Sequence, residues 1–306
     1  MSTVKSASDL NASILHVYGI ITWADVVIAL VVAVVLAIAL LRFRGRPGAA
    51  LPRQIRGHTV LELSWTIAPA LVLLVIAIPT LQVIFRTQQQ TAPKDALEIT
   101  VRGWQWWWEF RYPSLQITTA NELYVPLGQA VAMRLEGPDV IHSFWIPRLG
   151  GKRDVVPGRI NRITFTPTAV GEYLGQCAEF CGTSHANMRM RVIVVERAAF
   201  DRWVAAQRAP AIEPTGDAAD GKGIFARSAC VGCHTIRGMS AGALGPDLTH
   251  FGARKTLAAG LLPTNVETVA AWIFDPPAIK PGSKMPAVGL TREQARSVAT
   301  YLVSLK

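Results

Sequence analysis

The 306-residue sequence predicts a multidomain membrane protein with a two-helix transmembrane hairpin, an all-β sandwich or barrel, and an all-α domain. Three observations carry that prediction. Two long apolar runs stand near the N-terminus, short β-type stretches occupy the middle, and helix-like segments separated by Gly/Pro loops close the chain. Composition agrees: half of the residues are hydrophobic and 17% are charged. The mean hydropathy of +0.28 is more apolar than in an ordinary soluble or disordered chain.

Residues 20–41 form 22 positions with one charge, Asp25, and residues 63–85 form 23 with none. At roughly 1.5 Å of rise per residue, each run is long enough to cross a bilayer core as a helix. Pro69 and Pro79 break soluble helices but are tolerated in membrane helices whose freed carbonyls find other partners. Arg42, Arg44, Arg46, Arg53 and Arg56 lie between the runs, before His58, with no acid among them. The positive-inside rule places this stretch in the cytoplasm and both termini outside. The first run follows a polar stretch and is too long for a signal peptide, so it reads as a retained span. Residues 1–92 are the hairpin segment.

Beyond Pro93, residues 97–101, 116–119, 130–135, 162–166 and 190–195 read as strands between Gly and Pro turns, within a domain spanning 93–208. So many short strands predict a sandwich or barrel, closed by a short helix over 200–208. Residues 209–216 have linker composition. The third domain, 217–306, is helix-like at 218–227, 266–274 and 291–304. The net charge of +10 is spread along the chain: seven basic against three acidic residues in 1–92, fourteen against eleven in 93–212, ten against seven in 213–306. No segment is a basic arm, which argues against a nucleic-acid partner.

The four cysteines fall in two tight pairs, Cys177/Cys181 and Cys230/Cys233, each near a histidine. That spacing points to cofactors and not to a disulfide framework. Cys177, Cys181, His185 and Met188 lie within twelve residues. Soft sulfur with imidazole suits copper, zinc or an iron–sulfur centre. Structural zinc has no need of the methionine, and an iron–sulfur cluster usually takes four cysteines, so copper fits best. His142 supplies a second imidazole, and Asp139 just before it is a candidate support for that ring or an interface residue. An early strand end plus a late ligand loop is how cupredoxin sandwiches assemble a metal. Upstream, 104–110 reads Trp-Gln-Trp-Trp-Trp-Glu-Phe, five aromatics in seven residues. Period-two alternation cannot bury them all. Trp104 and Trp108 are expected in the core, and others at an exposed or partner surface.

Cys230-Val-Gly-Cys233-His234 is the C-x-x-C-H attachment sequence for a c-type haem. Two thiols add to the haem vinyl groups and His234 takes the proximal position. Lys284-Met285-Pro286 supplies a distal thioether. Met239 stands only five residues after His234, on the proximal side, and His250 is a bis-histidine alternative. A thioether raises the potential relative to a second imidazole.

These residues together resemble subunit II of the haem–copper cytochrome c oxidases, with its dinuclear copper A centre. The family motif Cys-x-Glu-x-Cys-x-x-x-His-x-x-Met plus a distant His is filled at every position. The C-terminal part resembles a class I cytochrome c, the arrangement of a caa-type oxidase. The resemblance implies that Cys177 and Cys181 bridge two coppers, with His142 and Met188 completing one and His185 and the Glu179 carbonyl the other. It implies that the Glu179 carboxylate helps to hold Mg or Mn at the junction with subunit I, and that Trp106 is the electron entry point. Trp107 stands where the family frequently has Tyr. The stretch from Glu62 to Pro69 resembles the segment whose Glu lies at the mouth of a proton pathway.

The implied function is electron transfer from haem c to copper A and on to haem a in subunit I, where oxygen is reduced and protons are pumped. The implied partners are subunits I and III, membrane lipid, and an external cytochrome c or quinol-oxidising complex as donor. The implied location is the bacterial inner membrane, with the copper and haem domains on the periplasmic face. A membrane-tethered haem c/copper protein serving a non-oxidase partner is the alternative, although a mere tether requires neither Glu62 nor a two-helix hairpin. Quinol oxidase subunits lack these copper ligands, and a nitrous oxide reductase would not fit in 306 residues.

Overall fold

The structure, a computed structural model, describes residues 2, 4–45, 47–48, 54, 56–88 and 92–306. Arg46 and Arg53 of the arginine stretch lie outside the described residues. The chain divides into two compact units, one of residues 12–89 and one of 1–11 with 90–306.

The first unit contains most of α1 (Asp9–Arg42) and all of α2 (Thr59–Thr87). Both helices are apolar on all sides, with mean hydropathy of 3.0 and 2.4 over their most apolar stretches and no residue buried there, the pattern of a helix surrounded by lipid. The apolar runs 20–41 and 63–85 lie inside them. Polar residues extend each helix. His58 caps α2, its Nδ1 accepting from Leu61 N (3.3 Å), and Glu62 Oε1 accepts from His58 N (3.3 Å). This reciprocal pair satisfies donors that a helix N-terminus otherwise leaves free.

In the second unit, β1 (Leu97–Trp104), β2 (Trp107–Tyr112), β3 (Ile117–Ala120), β4 (Glu122–Pro126), β5 (Val131–Glu136), β6 (His142–Trp145), β7 (Arg153–Val155), β8 (Asn161–Phe165), β9 (Gly171–Cys177) and β10 (Arg189–Val195) form two five-stranded sheets. Their orders are β3-β2-β1-β5-β8 and β4-β10-β9-β6-β7. Alternation sends Leu97, Ile99 and Val101 of β1, and Val131, Met133 and Leu135 of β5, into the space between the sheets. Trp108, Phe110 and Phe144 fill its centre edge to face, with Trp108 and Phe144 centroids 5.3 Å apart. Trp108 is in the core as expected. Trp104 is not: the period that buries Val101 and Gly103 turns it outward, where it is half-buried and stacks on Trp107 at 6.1 Å. Near the N-terminus, Ser8 donates to Leu149 O (2.6 Å) and accepts from Asn11 N (3.0 Å), tying residues before α1 to the sandwich.

After β10, α3 (Arg197–Arg208) closes the sandwich by laying Trp203 on Tyr124, with centroids 4.8 Å apart. The all-α domain follows as α4 (Asp217–Arg227), α5 (Cys230–Cys233), α6 (Val266–Phe274), α7 (Pro276–Ile279) and α8 (Arg292–Ser304). Helices α4 and α8 approach so closely at Gly221 that a Cβ there would stand 2.0 Å from Ser297 O. Only glycine allows that crossing. Phe225, Tyr301, Val298 and Leu302 pack around it. Asn265 and Thr291 begin α6 and α8 with capping boxes.

Candidate metal centre and haem site

His142 opens β6 and Cys177 ends β9, and these strands pair antiparallel through Phe144 and Cys177. The loop from 178 to 188 is pinned at its base by Cys177 N→Met188 O and Ala178 N→Ser143 O, both 2.9 Å. A 3₁₀ turn, His185–Asn187, folds it back, with Met188 N bonded to His185 O at 3.1 Å. Backbone bonds therefore bring the ligand types together.

The two sulfurs stand 3.8 Å apart, far beyond a disulfide bond. His142 Nδ1 lies 3.8 Å from Cys177 Sγ and His185 Nδ1 3.5 Å from Cys181 Sγ. Met188 Sδ is 3.9 Å from Cys181 Sγ, and the Glu179 carbonyl is 3.2 Å from Cys177 Sγ. His142, Cys177 and Cys181 offer ligand atoms within 4.8 Å of one another, and all three are buried. The Cys177 thiol is drawn down to about 3 because Cys181 donates to its thiolate, burial opposing, and the Cys181 proton is held correspondingly tighter. Both thiols would have to give up their protons to hold a metal. Burial alone would lower His142, but bonds with Asp139 and Cys177 outweigh it and raise the imidazole above its ordinary value.

Trp106 occupies the turn between β1 and β2, and its Nε1 donates to Cys181 O at 2.9 Å. Gln105 Nε2 donates to the same carbonyl at 2.8 Å. The indole is thus one hydrogen bond from a ligand candidate. It is only 8% exposed, because residues of the all-α domain cover it. Glu179 points its side chain to solvent, next to Phe180, which is 76% exposed. Glu62 belongs to the other unit, at the start of α2.

In the all-α domain, Cys230 and Cys233 are free thiols at the two ends of the single turn α5, one buried and the other half-buried. His234 Nδ1 bonds to Pro246 O at 2.8 Å, which leaves Nε2 for iron. Burial holds this imidazole below its ordinary value, the Pro246 bond countering, so it is neutral and ready to ligate. Gly245 packs against the ring so tightly that a Cβ would lie 2.5 Å from His234 Cε1. Met285 is half-buried in the loop after α7, its amide bonded to Ser283 Oγ (3.3 Å). The rival Met239 is engaged elsewhere, 4.0 Å from the Tyr301 hydroxyl. His250 Nδ1 bonds to Lys306 O at 3.3 Å. The Gly245-Pro246 pair after C-x-x-C-H belongs to the haem-domain context in the sequence, and its support of His234 is visible only in the structure.

Comparison with known proteins decides what these two sites belong to. The model of the cytochrome c oxidase subunit II transmembrane domain matches residues 2–83, that of the subunit II periplasmic domain 114–197, and that of cytochrome c 218–306. A cytochrome c oxidase subunit 2 of Alkalihalophilus pseudofirmus is 38% identical over 95% of this chain and 87% of its own. The chain belongs to the cytochrome c oxidase subunit II family. The subunit 2 of Bacillus subtilis is 34% identical over 100% of this chain and 92% of its own. The solved periplasmic domain of subunit II from Bradyrhizobium japonicum is 34% identical over 39% of this chain and 97% of its own, with a TM-score of 0.37. Membership of this family, with a C-terminal cytochrome c domain, makes the chain a two-pass membrane component of an oxidoreductase that serves in electron transfer, with an oxidase subunit I as its partner.

Proposed function

We propose that the chain carries electrons from haem c, held by its last domain, to a copper A pair held by its sandwich, and from there to haem a in subunit I. The observation that carries this reading is the convergence of two thiols, two imidazole Nδ1 atoms, a thioether and a carbonyl around the Cys177–Cys181 pair. When bound, the copper pair and the haem each take up and release one electron with little change in geometry. The protein's own residues hold that geometry fixed. Cys177 and Cys181 would supply the thiolates that hold the pair, His142 and His185 the imidazoles, Met188 the thioether and Glu179 its backbone carbonyl. Burial of Cys177, Cys181, His142 and Met188 keeps water from the pair. In the haem domain, Cys230 and Cys233 would attach the haem, and His234, oriented by Pro246, together with Met285 would hold its iron.

Trp106 is the entry point, its indole N–H joined to the Cys181 carbonyl. The exposed Glu179 carboxylate is free to ligate Mg or Mn, which favour such hard oxygen donors, where subunit I covers it. Glu62 serves proton entry from the cytoplasmic side, in an enzyme that pumps protons as subunit I reduces oxygen. The copper and haem domains face the periplasm of a bacterial inner membrane, with lipid around α1 and α2. Subunit III joins the assembly, and an external cytochrome c or a quinol-oxidising complex delivers electrons to the haem. The domains act as hairpin 1–92, copper domain 93–208, linker 209–216 and haem domain 217–306.

The deciding test is the visible and near-infrared spectrum of the purified oxidase, oxidised and reduced. A methionine-ligated c-type haem, a near-infrared band lost on reduction, and two extra coppers per haem c are expected. A haem spectrum without that band and without those coppers would overturn the copper assignment and leave a tethered cytochrome.

A further inference from the structure

The Trp106 indole is not open to solvent, and the haem domain of the same chain is what covers it. The loop after α7 lies over the indole. A Cβ on Gly282 would stand 2.9 Å from Trp106 Cη2 and 3.3 Å from Thr183 Cβ. The φ of +78° at Gly282 independently favours glycine. One residue earlier, Pro281 O accepts from the buried Ser184 hydroxyl at 2.5 Å. One residue earlier again, Lys280 is 4% exposed, and its Nζ donates to Trp106 O at 2.6 Å and to Ala258 O at 3.0 Å. One side chain therefore joins the sandwich to two segments of the haem domain.

Burying a lysine is costly unless its donors are used. Here two of them are spent on carbonyls that belong to different domains. Burial presses the Lys280 ammonium down to about 7, with Cys181 countering and Arg189 adding to the effect. Amine and ammonium alike keep two N–H groups for the two carbonyls, so the clasp does not hinge on charge. A second seam runs alongside. Glu122 of β4 accepts from Lys255 N (2.9 Å), Thr256 N (3.0 Å) and Thr256 Oγ1 (3.1 Å), and Arg189 N donates to Ala259 O (3.2 Å).

We infer that Lys280 is a positioning residue for haem-to-copper electron transfer: it bolts the loop that leads to Met285 onto the backbone of Trp106. The haem domain is then a fixed donor and not a tethered shuttle. The Trp106 face is closed to a second carrier, and outside electrons enter through the haem. This rests on the reading of Trp106 as entry point and Met285 as haem ligand. The step that is positioned moves one electron and breaks no bond, so its rate follows how closely and how constantly the two sides are held.

The test uses the assembled oxidase with Lys280→Met, which keeps the apolar stem and removes the donors, and with Gly282→Ala, which wedges the loop from the other side. Two quantities are read: hydrogen exchange at the Arg189, Lys255 and Thr256 amides, which are shielded across the seam, and the rate of haem-to-copper transfer after photoreduction in buffers of rising viscosity. Wild type is expected to protect these amides and to transfer at a viscosity-independent rate. Either variant should lose protection by roughly tenfold, the scale of a lost buried hydrogen bond, and its transfer should slow and become viscosity-dependent. Viscosity-dependent transfer in wild type, or unchanged protection and rate in a variant that keeps both cofactors, would overturn the inference. Should Lys280→Met fail to take up haem, Gly282→Ala decides. The exchange readout needs neither redox centre, so a missing near-infrared band would sink the proposed function while the clasp was still judged by exchange.

Discussion

Asp139 Oδ1 accepts a hydrogen bond from His142 Nε2 at 2.9 Å, and this fixes which imidazole nitrogen faces the cysteines. The carboxylate is itself held by the amides of Gln105 and Val140, both at 2.7 Å. Burial alone would raise Asp139, but these bonds, led by His142, outweigh it and keep the carboxyl below its ordinary value. It is therefore charged at neutral pH and locks the Nδ1-facing tautomer. Supports of this kind are worth about 10- to 100-fold in metal affinity. Asp139→Ala is expected to weaken copper binding by about that much, read by copper titration of the near-infrared band, with the haem spectrum unchanged. Asp139→Asn, which keeps an acceptor, should fall between.

Gly245→Ala tests the haem side. The added methyl would lie 2.5 Å from His234 Cε1, so the ring must move and its bond to Pro246 O must stretch. The cysteines are untouched, so covalent haem should still form. Axial ligation should not survive intact: the charge-transfer band of methionine-ligated ferric haem is expected to weaken or vanish, and the reduction potential to fall. A spectrum identical to wild type would mean that Pro246 does not orient His234.

The sequence made some of this legible and hid the rest for physical reasons. Strands β1, β5 and β8 stand out because their alternating faces meet core and solvent by turns, and β3 and β10 because they are rich in β-branched residues. Strand β2 is harder to read: Trp108, Phe110 and Tyr112 recur at a period of two, but Trp107 extends the aromatic run and Glu109, on the opposite face, is buried as well. Strand β6 is masked in the same way, with three consecutive buried residues from His142 to Phe144. The residue types that converge around Cys177 and Cys181 were named from the sequence by their chemistry and by the family resemblance. What positions the site residues was not: the Pro246 carbonyl is a backbone group, and Lys280 and Gly282 matter only once the two domains are in contact. Neither residue belongs to any local pattern, and a lone lysine reads as solvated.

Glu62 has two possible duties, and one pair of variants separates them. Its Oε1 accepts from His58 N and so helps to begin α2. Glu62→Gln keeps that acceptor and removes the exchangeable acid proton, whereas Glu62→Ala removes both. If Glu62 serves proton entry, both variants should slow oxygen turnover severalfold, while reduction of haem c and copper stays at the wild-type rate. Wild-type turnover in Glu62→Gln with a slow Glu62→Ala would reduce the residue to a helix cap.

Glu122 gives a pH-dependent prediction whose sign follows from its surroundings. It is 2% exposed, and burial raises its carboxyl above 4.5, with Arg254 and the donors from Thr256 and Lys255 opposing that rise. An acid raised in the docked state binds its proton more tightly there than in the unfolded chain. Its contribution to stability is therefore greatest below 4.5 and declines as pH rises through the raised value, then levels off. Glu122→Gln keeps an acceptor for the two amides and has no charge to bury. Thermal unfolding of the haem domain should thus show wild type losing stability relative to Glu122→Gln as pH climbs above 4.5. Glu172, on the same seam, is lowered chiefly by its bond from Lys255 and titrates the other way, but it is common to both proteins and cancels in their difference. Glu122→Ala strands two amides and a hydroxyl and should cost about 1–3 kcal/mol at every pH. A wild-type-minus-Gln difference that is flat, or that rises with pH, would show that Glu122 is held as a paired carboxylate and that Arg254 outweighs its burial.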